Sequence, residues 1–144
     1  APGDDRPRDA SARARADARG ELAAAGEIRR RFVAGRAAAS GTAPAAIAAA
    51  RSTAQASGVA HMGAHALGAA AYAVKAVGTD RPDEADAEID WQIQQMTPAV
   101  RAALRQLPPV GEDAAGPFVA GGLLARGILG STIHTLQTRI AAGV

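Results

Sequence analysis

The run from Pro44 to Val77, PAAIAAARSTAQASGVAHMGAHALGAAAYAVKAV, decides the fold. Fifteen of its residues are Ala, and no Pro interrupts it after the first. Ala has the highest helix propensity and is depleted in strands, so the run predicts one long helix, or two separated near Ser57-Gly58. Thr42 or Ala43 precedes it, Pro44 fits a first turn that needs no amide hydrogen, and Gly78-Thr79 ends it.

The rest of the chain has the same character. Its 144 residues include 40 Ala and 16 Gly, whereas Leu, Ile, Val, Met, Phe, Trp and Tyr together number 29. A core with so few large side chains must be thin, and it closes only if backbones approach until Ala and Gly fill the space. The composition predicts an all-α fold, a single-domain bundle of five to six helices around a long central Ala-rich helix. The domain spans residues 1–144, with a loop at 111–117 and a C-terminal helical segment at 118–144.

Pro and Gly punctuate the remaining elements. Asp4-Asp5-Arg6-Pro7 offers a capping carboxylate and a first-turn Pro for a helix to about Ala25. A second is expected from Glu27 to Ser40. Asp80-Arg81-Pro82 opens another, to Gln95, with Ala85, Ile89, Ile93 and Met96 at helical spacing. Thr97-Pro98 starts a short one in which Val100, Leu104 and Leu107 form the buried edge and Arg101 and Arg105 share the opposite face. Leu129, Ile133, Leu136, Ile140 and Val144 follow 4, 3, 4, 4 steps, the pattern of an amphipathic helix. Gly121, Gly122, Gly127 and Gly130 weaken its first half, or let another element pack closely.

Several function classes drop out. Without Cys there is no disulfide framework, iron–sulfur cluster, thiolate zinc site or cysteine nucleophile. The formal charge of +2, from 15 Arg and one Lys against 14 carboxylates, is a weak field and argues against nucleic acid as a partner. No stretch reaches the roughly 20 apolar residues of a membrane span. The chain opens on Ala1-Pro2-Gly3 without an apolar leader, which reads as processed or lacking its natural start, and a bacterial cytoplasmic location is expected.

One constellation remains. His61, His65, Gly68, Tyr72 and Lys75 follow 4, 3, 4, 3 spacing and form a single stripe on an otherwise apolar helix. Such a stripe either faces water and satisfies itself on neighbours, or lines a cleft made shallow by Gly68 whose polar groups hold a ligand. Histidines at i and i+4 could share a metal, but His61-Met62-Gly63-Ala64-His65 has no acidic residue between them and nothing selects a third ligand, so no metal or cofactor is expected. Nucleotide-binding and serine-nucleophile motifs are missing, and the paired carboxylates sit at helix entries or loops. The lone Trp91 lies about 160° around its helix from Ile89, outside the Ile89–Ile93 stripe. It packs on a second neighbour or anchors a partner.

These residues carry a family resemblance. Asp4-Asp5-Arg6-Pro7-Arg8, Ala60-His61-Met62-Gly63-Ala64-His65-Ala66-Leu67-Gly68, Tyr72-Ala73-Val74-Lys75-Ala76, Trp91-Gln92 and Val100 to Pro108 are together similar to the immunity proteins of bacterial polymorphic toxin systems, of the fifth class and its relatives. The resemblance covers residues 4 to 110. It implies a small helical binder that neutralises a cognate toxin, more a binding protein than an enzyme, and carries Asp5, Arg6, His61, His65, Tyr72, Lys75 and Trp91 over as partner-binding positions. The alternative is a small-molecule binder or enzyme using a cleft of His61, His65, Tyr72 and Lys75. A third reading, self-association into a homo-oligomer, follows from Gly- and Ala-rich faces that permit close packing.

Overall fold

The computed structural model describes residues 43–143, together with Asp5, Arg6, Arg8, Asp9, Ala12 and Ala16. The helix expected from Glu27 to Ser40 lies outside the described residues. So does most of the first, of which Arg6, Arg8, Asp9, Ala12 and Ala16 are helical and the Asp9 amide donates to the Asp5 carbonyl at 2.9 Å.

Within residues 43–143 there are five α-helices and no strand. They are α1 (Pro44–Gly58), α2 (His65–Asp80), α3 (Ala85–Gln95), α4 (Pro98–Leu104) and α5 (Gly127–Ala142). A 3-10 turn at Pro82–Glu84 leads into α3, and another at Leu123–Ala125 leads into α5. An all-α architecture is what the Ala-rich composition demands.

The run from Pro44 to Val77 is two helices, not one. Gly58 closes α1, and residues 59–64 form a tight turn in which the Met62 amide donates to the Gly58 carbonyl at 3.2 Å and the His65 amide to the Met62 carbonyl at 3.1 Å. Gly58 and Gly63 weaken the helix on both sides of Val59, and folding back lets α1 bury Ala48 and Ala50. Ser52 Oγ ties the pair by donating to the Ala69 carbonyl at 2.8 Å.

Helix α2 is the central element, packing against α1, α3 and α5. Leu67, Ala71, Tyr72 and Val74 point into one core with Ile89 and Ile93 of α3 and Leu129, Ile133, Leu136 and Ile140 of α5. Leu104 joins it, whereas Val100 stands 45% exposed and corrects the expected buried edge of α4. A seven-residue helix turns only about one side inward, and Val100 lies about 40° beyond Leu104 on it. Thr97 caps α4 by accepting from the Val100 amide at 3.3 Å. Arg101 and Arg105 are not merely a solvated face. Arg101 Nη2 donates to the Ile93 carbonyl at 2.8 Å and Arg105 Nε to the Ile140 carbonyl at 2.9 Å, satisfying the carbonyl ends of α3 and α5.

Candidate functional site

The segment 111–126 is irregular up to its 3-10 turn, yet it is fastened. Phe118, near its middle, is fully buried in the core. Gln137 of α5 holds the residues that lead into it: its Nε2 donates to the Pro108 carbonyl at 2.8 Å, and its Oε1 accepts from the Val110 amide at 3.0 Å. Gly130 lets the turn at Leu123–Ala125 lie against α5, because a Cβ there would come within 2.6 Å of the Ala125 backbone. The segment thus stands as a wall opposite the turn between α1 and α2.

Between the wall and the turn lies a cavity of about 430 Å³. Gln55, His61 and His65 line one side, Pro117 and Leu124 the other, and Met62, Val119 and Leu123 form its rim. Gly116 brings the wall to within ordinary contact of Met62, its Cβ position lying 3.4 Å from the Met62 sulfur.

The two histidines meet there. Their ring centroids are 5.0 Å apart with planes tilted by 44°. Only His65 belongs to α2; His61 sits in the turn, where its amide donates to the Gly58 carbonyl at 3.2 Å. His65 Nδ1 lies 2.7 Å from Gln55 Oε1. An amide oxygen only accepts, so Nδ1 carries the hydrogen and donates. Two glycines make this seat possible. A Cβ on Gly58 would lie 2.9 Å from the His65 ring, and one on Gly68 would lie 2.5 Å from Gln55 Oε1 and 2.8 Å from Leu124 Cδ1. Gly68 therefore does not leave an open floor; Gln55 and Leu124 fill the space its side chain would take.

The remaining stripe residues do not line this cavity. Tyr72 is 2% exposed and turns into the core, with the Arg51 guanidinium carbon 5.9 Å from its ring centroid, at the outer edge of cation–π range. Lys75 lies ten residues past His65, about 15 Å along the axis. Helix α2 packs against three neighbours, so a single stripe about 80° wide cannot face one opening along its whole length. Trp91 stands elsewhere, 56% exposed on the outer side of α3. Asp5 is exposed, with Arg8 Nη1 3.8 Å from its carboxylate. Among the described residues no group of three His, Asp or Glu is placed to hold a metal ion.

Sequence reasoning missed Gln55 and the wall. Gln55 had one signal: with Arg51 it is one of only two long polar side chains in Pro44–Gly58, one turn apart. The wall had none, because Val119, Leu123 and Leu124 show no period that would aim them at the histidines.

The geometry offers a partly apolar recess with an oriented imidazole pair and exposed aliphatic edges. No helix of the described residues is long and apolar enough to cross a membrane. The family model described as Imm-5 like putative immunity protein matches residues 1–99. No curated protein and no solved structure matches the chain. The match spans more than half the chain and includes α1, α2, α3 and both histidines, and the chain belongs to that family.

Proposed function

We propose that this member of the Imm-5 like immunity family neutralises a toxin by binding it directly, with the histidine-lined cavity and its rim as a contact surface. One observation carries the placement. Met62, Val119 and Leu123 are 39%, 36% and 61% exposed, and all three border one recess whose far side bears His61, His65 and Gln55. Exposed aliphatic side chains gathered at one place mark interaction sites, whereas singly scattered ones do not. A rim that excludes water around a few oriented polar groups is the arrangement that concentrates binding energy.

Copurification with the toxin domain encoded beside this chain tests the reading. The toxin should be retained by the wild-type protein and lost, or bound at least tenfold more weakly, by Leu123→Asp, with the helical circular dichroism spectrum unchanged. Retention equal to that of an unrelated toxin would end it.

A second reading rests on the volume. About 430 Å³ falls within the range of small-molecule pockets, and in this reading a compact ligand sits against His61 and His65. Native mass spectrometry of the purified protein should then reveal an added mass that His65→Gln reduces. A bare chain mass in repeated preparations would remove this alternative without touching the first.

A further inference from the structure

We propose that the outer face of α3, centred on Trp91, is a second contact surface and that its occupant is a cationic surface of the toxin; the identity of that occupant rests on the direct-binding reading above. Trp91 is the chain's one Trp, in a molecule short of large side chains, and it is more than half exposed. The inward side of α3 is already filled by Ile89 and Ile93. Trp91 lies about 160° from both, so it gives the core nothing.

Charge identifies the occupant. Residues 80–90 hold six of the 14 carboxylates against the single Arg81, in a chain whose formal charge is +2. Arg81 bridges Glu84 and Asp80, and Arg139 bridges Asp90. Asp83 and Asp86 make no ion pair among the described residues, and six carboxylates against two arginines leave this surface at −4. Glu88 precedes Trp91 by three residues, which returns it to within about 60° of Trp91's side of α3, where its Oε1 accepts from Gln92 Nε2 at 2.7 Å, and Glu84 ends the 3-10 turn that leads into the helix. An exposed indole face flanked by carboxylates attracts a guanidinium or ammonium group through both the ring and the charges. It repels phosphate backbones. The carboxylates are strung along and around the helix and do not converge on a point, which suits a protein surface bearing Arg or Lys and not a metal ion.

Two probes separate the failure of this surface from the failure of toxin binding. The first is a ten-residue oligo-arginine peptide added at low salt to the full chain, read by Trp91 fluorescence. The peptide should shift Trp91 emission and protect it from iodide, and Glu84→Gln with Glu88→Gln should abolish both effects. No change in the wild type would overturn recognition of cations here, whatever the toxin does. The second is the toxin domain encoded beside this chain, measured by calorimetry at two salt concentrations. Trp91→Ala should weaken binding at least tenfold with an unchanged circular dichroism spectrum, and the glutamate pair should weaken it several-fold at low salt only. Tight binding with Trp91 still open to iodide and Trp91→Ala equal to wild type would overturn the surface while leaving direct binding intact. Absence of toxin binding would overturn the toxin as occupant together with the reading it rests on.

Discussion

Helix α5 and the α1–α2 hairpin are packed by opposite means. Helix α5 buries Leu129, Ile133, Leu136 and Ile140, so its attachment scales with the apolar area taken from water. The α1 side of the hairpin buries Ala48, Ala50, Ser57 and Gly58 against a helix that meets it with Gly68, and these offer little area, whereas the large buried side chains of α2, Leu67, Tyr72 and Val74, belong to the core shared with α5. What holds it is clearance. Small residues let the backbones close until Ser52 reaches the Ala69 carbonyl and Gln55 reaches across Gly68 to His65. The first region should therefore fail by losing atoms, and the second by gaining them.

The largest effect is expected from Phe118→Ala. Phe118 is fully buried and anchors the wall segment on the same core as α5. Truncating a buried Phe costs about 3 to 5 kcal/mol through lost transfer energy and the cavity left behind, which chemical denaturation would measure. A loss below about 1 kcal/mol would mean that area does not hold this half together.

Next comes Gly130→Ala, which tests whether clearance matters inside the large-residue region too. The added Cβ would meet the Ala125 carbonyl carbon and oxygen at 2.6 Å. Backbone cannot swing away as a side-chain tip can. Overpacking costs typically about 1 to 3 kcal/mol, and the gain in helix propensity from Gly to Ala returns about 1. A net loss of about 2 kcal/mol is expected because the obstacle is rigid. A stabilised variant would show that the turn at Leu123–Ala125 is free to move.

The two regions were also unequally legible. Ile89, Ile93, Leu129, Ile133, Leu136 and Ile140 are buried as their spacing predicts, because a large side chain at the wrong phase would be exposed at a cost of about 1.5 to 3 kcal/mol. Ala carries no such penalty, so its period does not report which way a helix faces or where it stops. The break at 59–64 is therefore legible in the sequence only as the alternative of two helices separated near Ser57-Gly58, and the histidine stripe extends past the start of α2 at His65. The pairing of His61 with His65 survived because the turn sets their rings 5.0 Å apart; Tyr72 and Lys75 did not join it, because Tyr72 is buried in the core and Lys75 lies about 15 Å farther along α2. Gln55 and the wall depend on tertiary placement, which local pattern does not encode.

Gly68→Ala sharpens the account of the hairpin. Its new Cβ would press on Gln55 Oε1 and Leu124 Cδ1, both ends of flexible side chains. Displacing Gln55 gives up its hydrogen bond to His65, worth about 0.5 to 1.5 kcal/mol, and helix propensity returns about 1. The net change should be a loss of about 1 kcal/mol or less, so its size alone decides little. The coupling decides. In a Gln55→Ala background the collision with Gln55 is gone and only Leu124 Cδ1 remains at 2.8 Å, so Gly68→Ala should cost less than in the wild type, giving a non-additivity of at least about 0.5 kcal/mol. Additive effects would mean that Gln55 does not occupy the space above Gly68.

The smallest effect separates size from structural role. Trp91 is larger than any side chain buried on α3, and a rule based on size alone would assign it a share of the core. Its position opposite Ile89 and Ile93, with 56% of its surface exposed, predicts otherwise. Trp91→Ala should change stability by no more than about 0.5 kcal/mol, as surface substitutions usually do, while raising helix propensity slightly. Thermal and urea unfolding would both measure it. A loss above about 2 kcal/mol would place Trp91 among the residues that hold α3 in the bundle, and would remove the ground for treating its outer face as a surface kept for a partner.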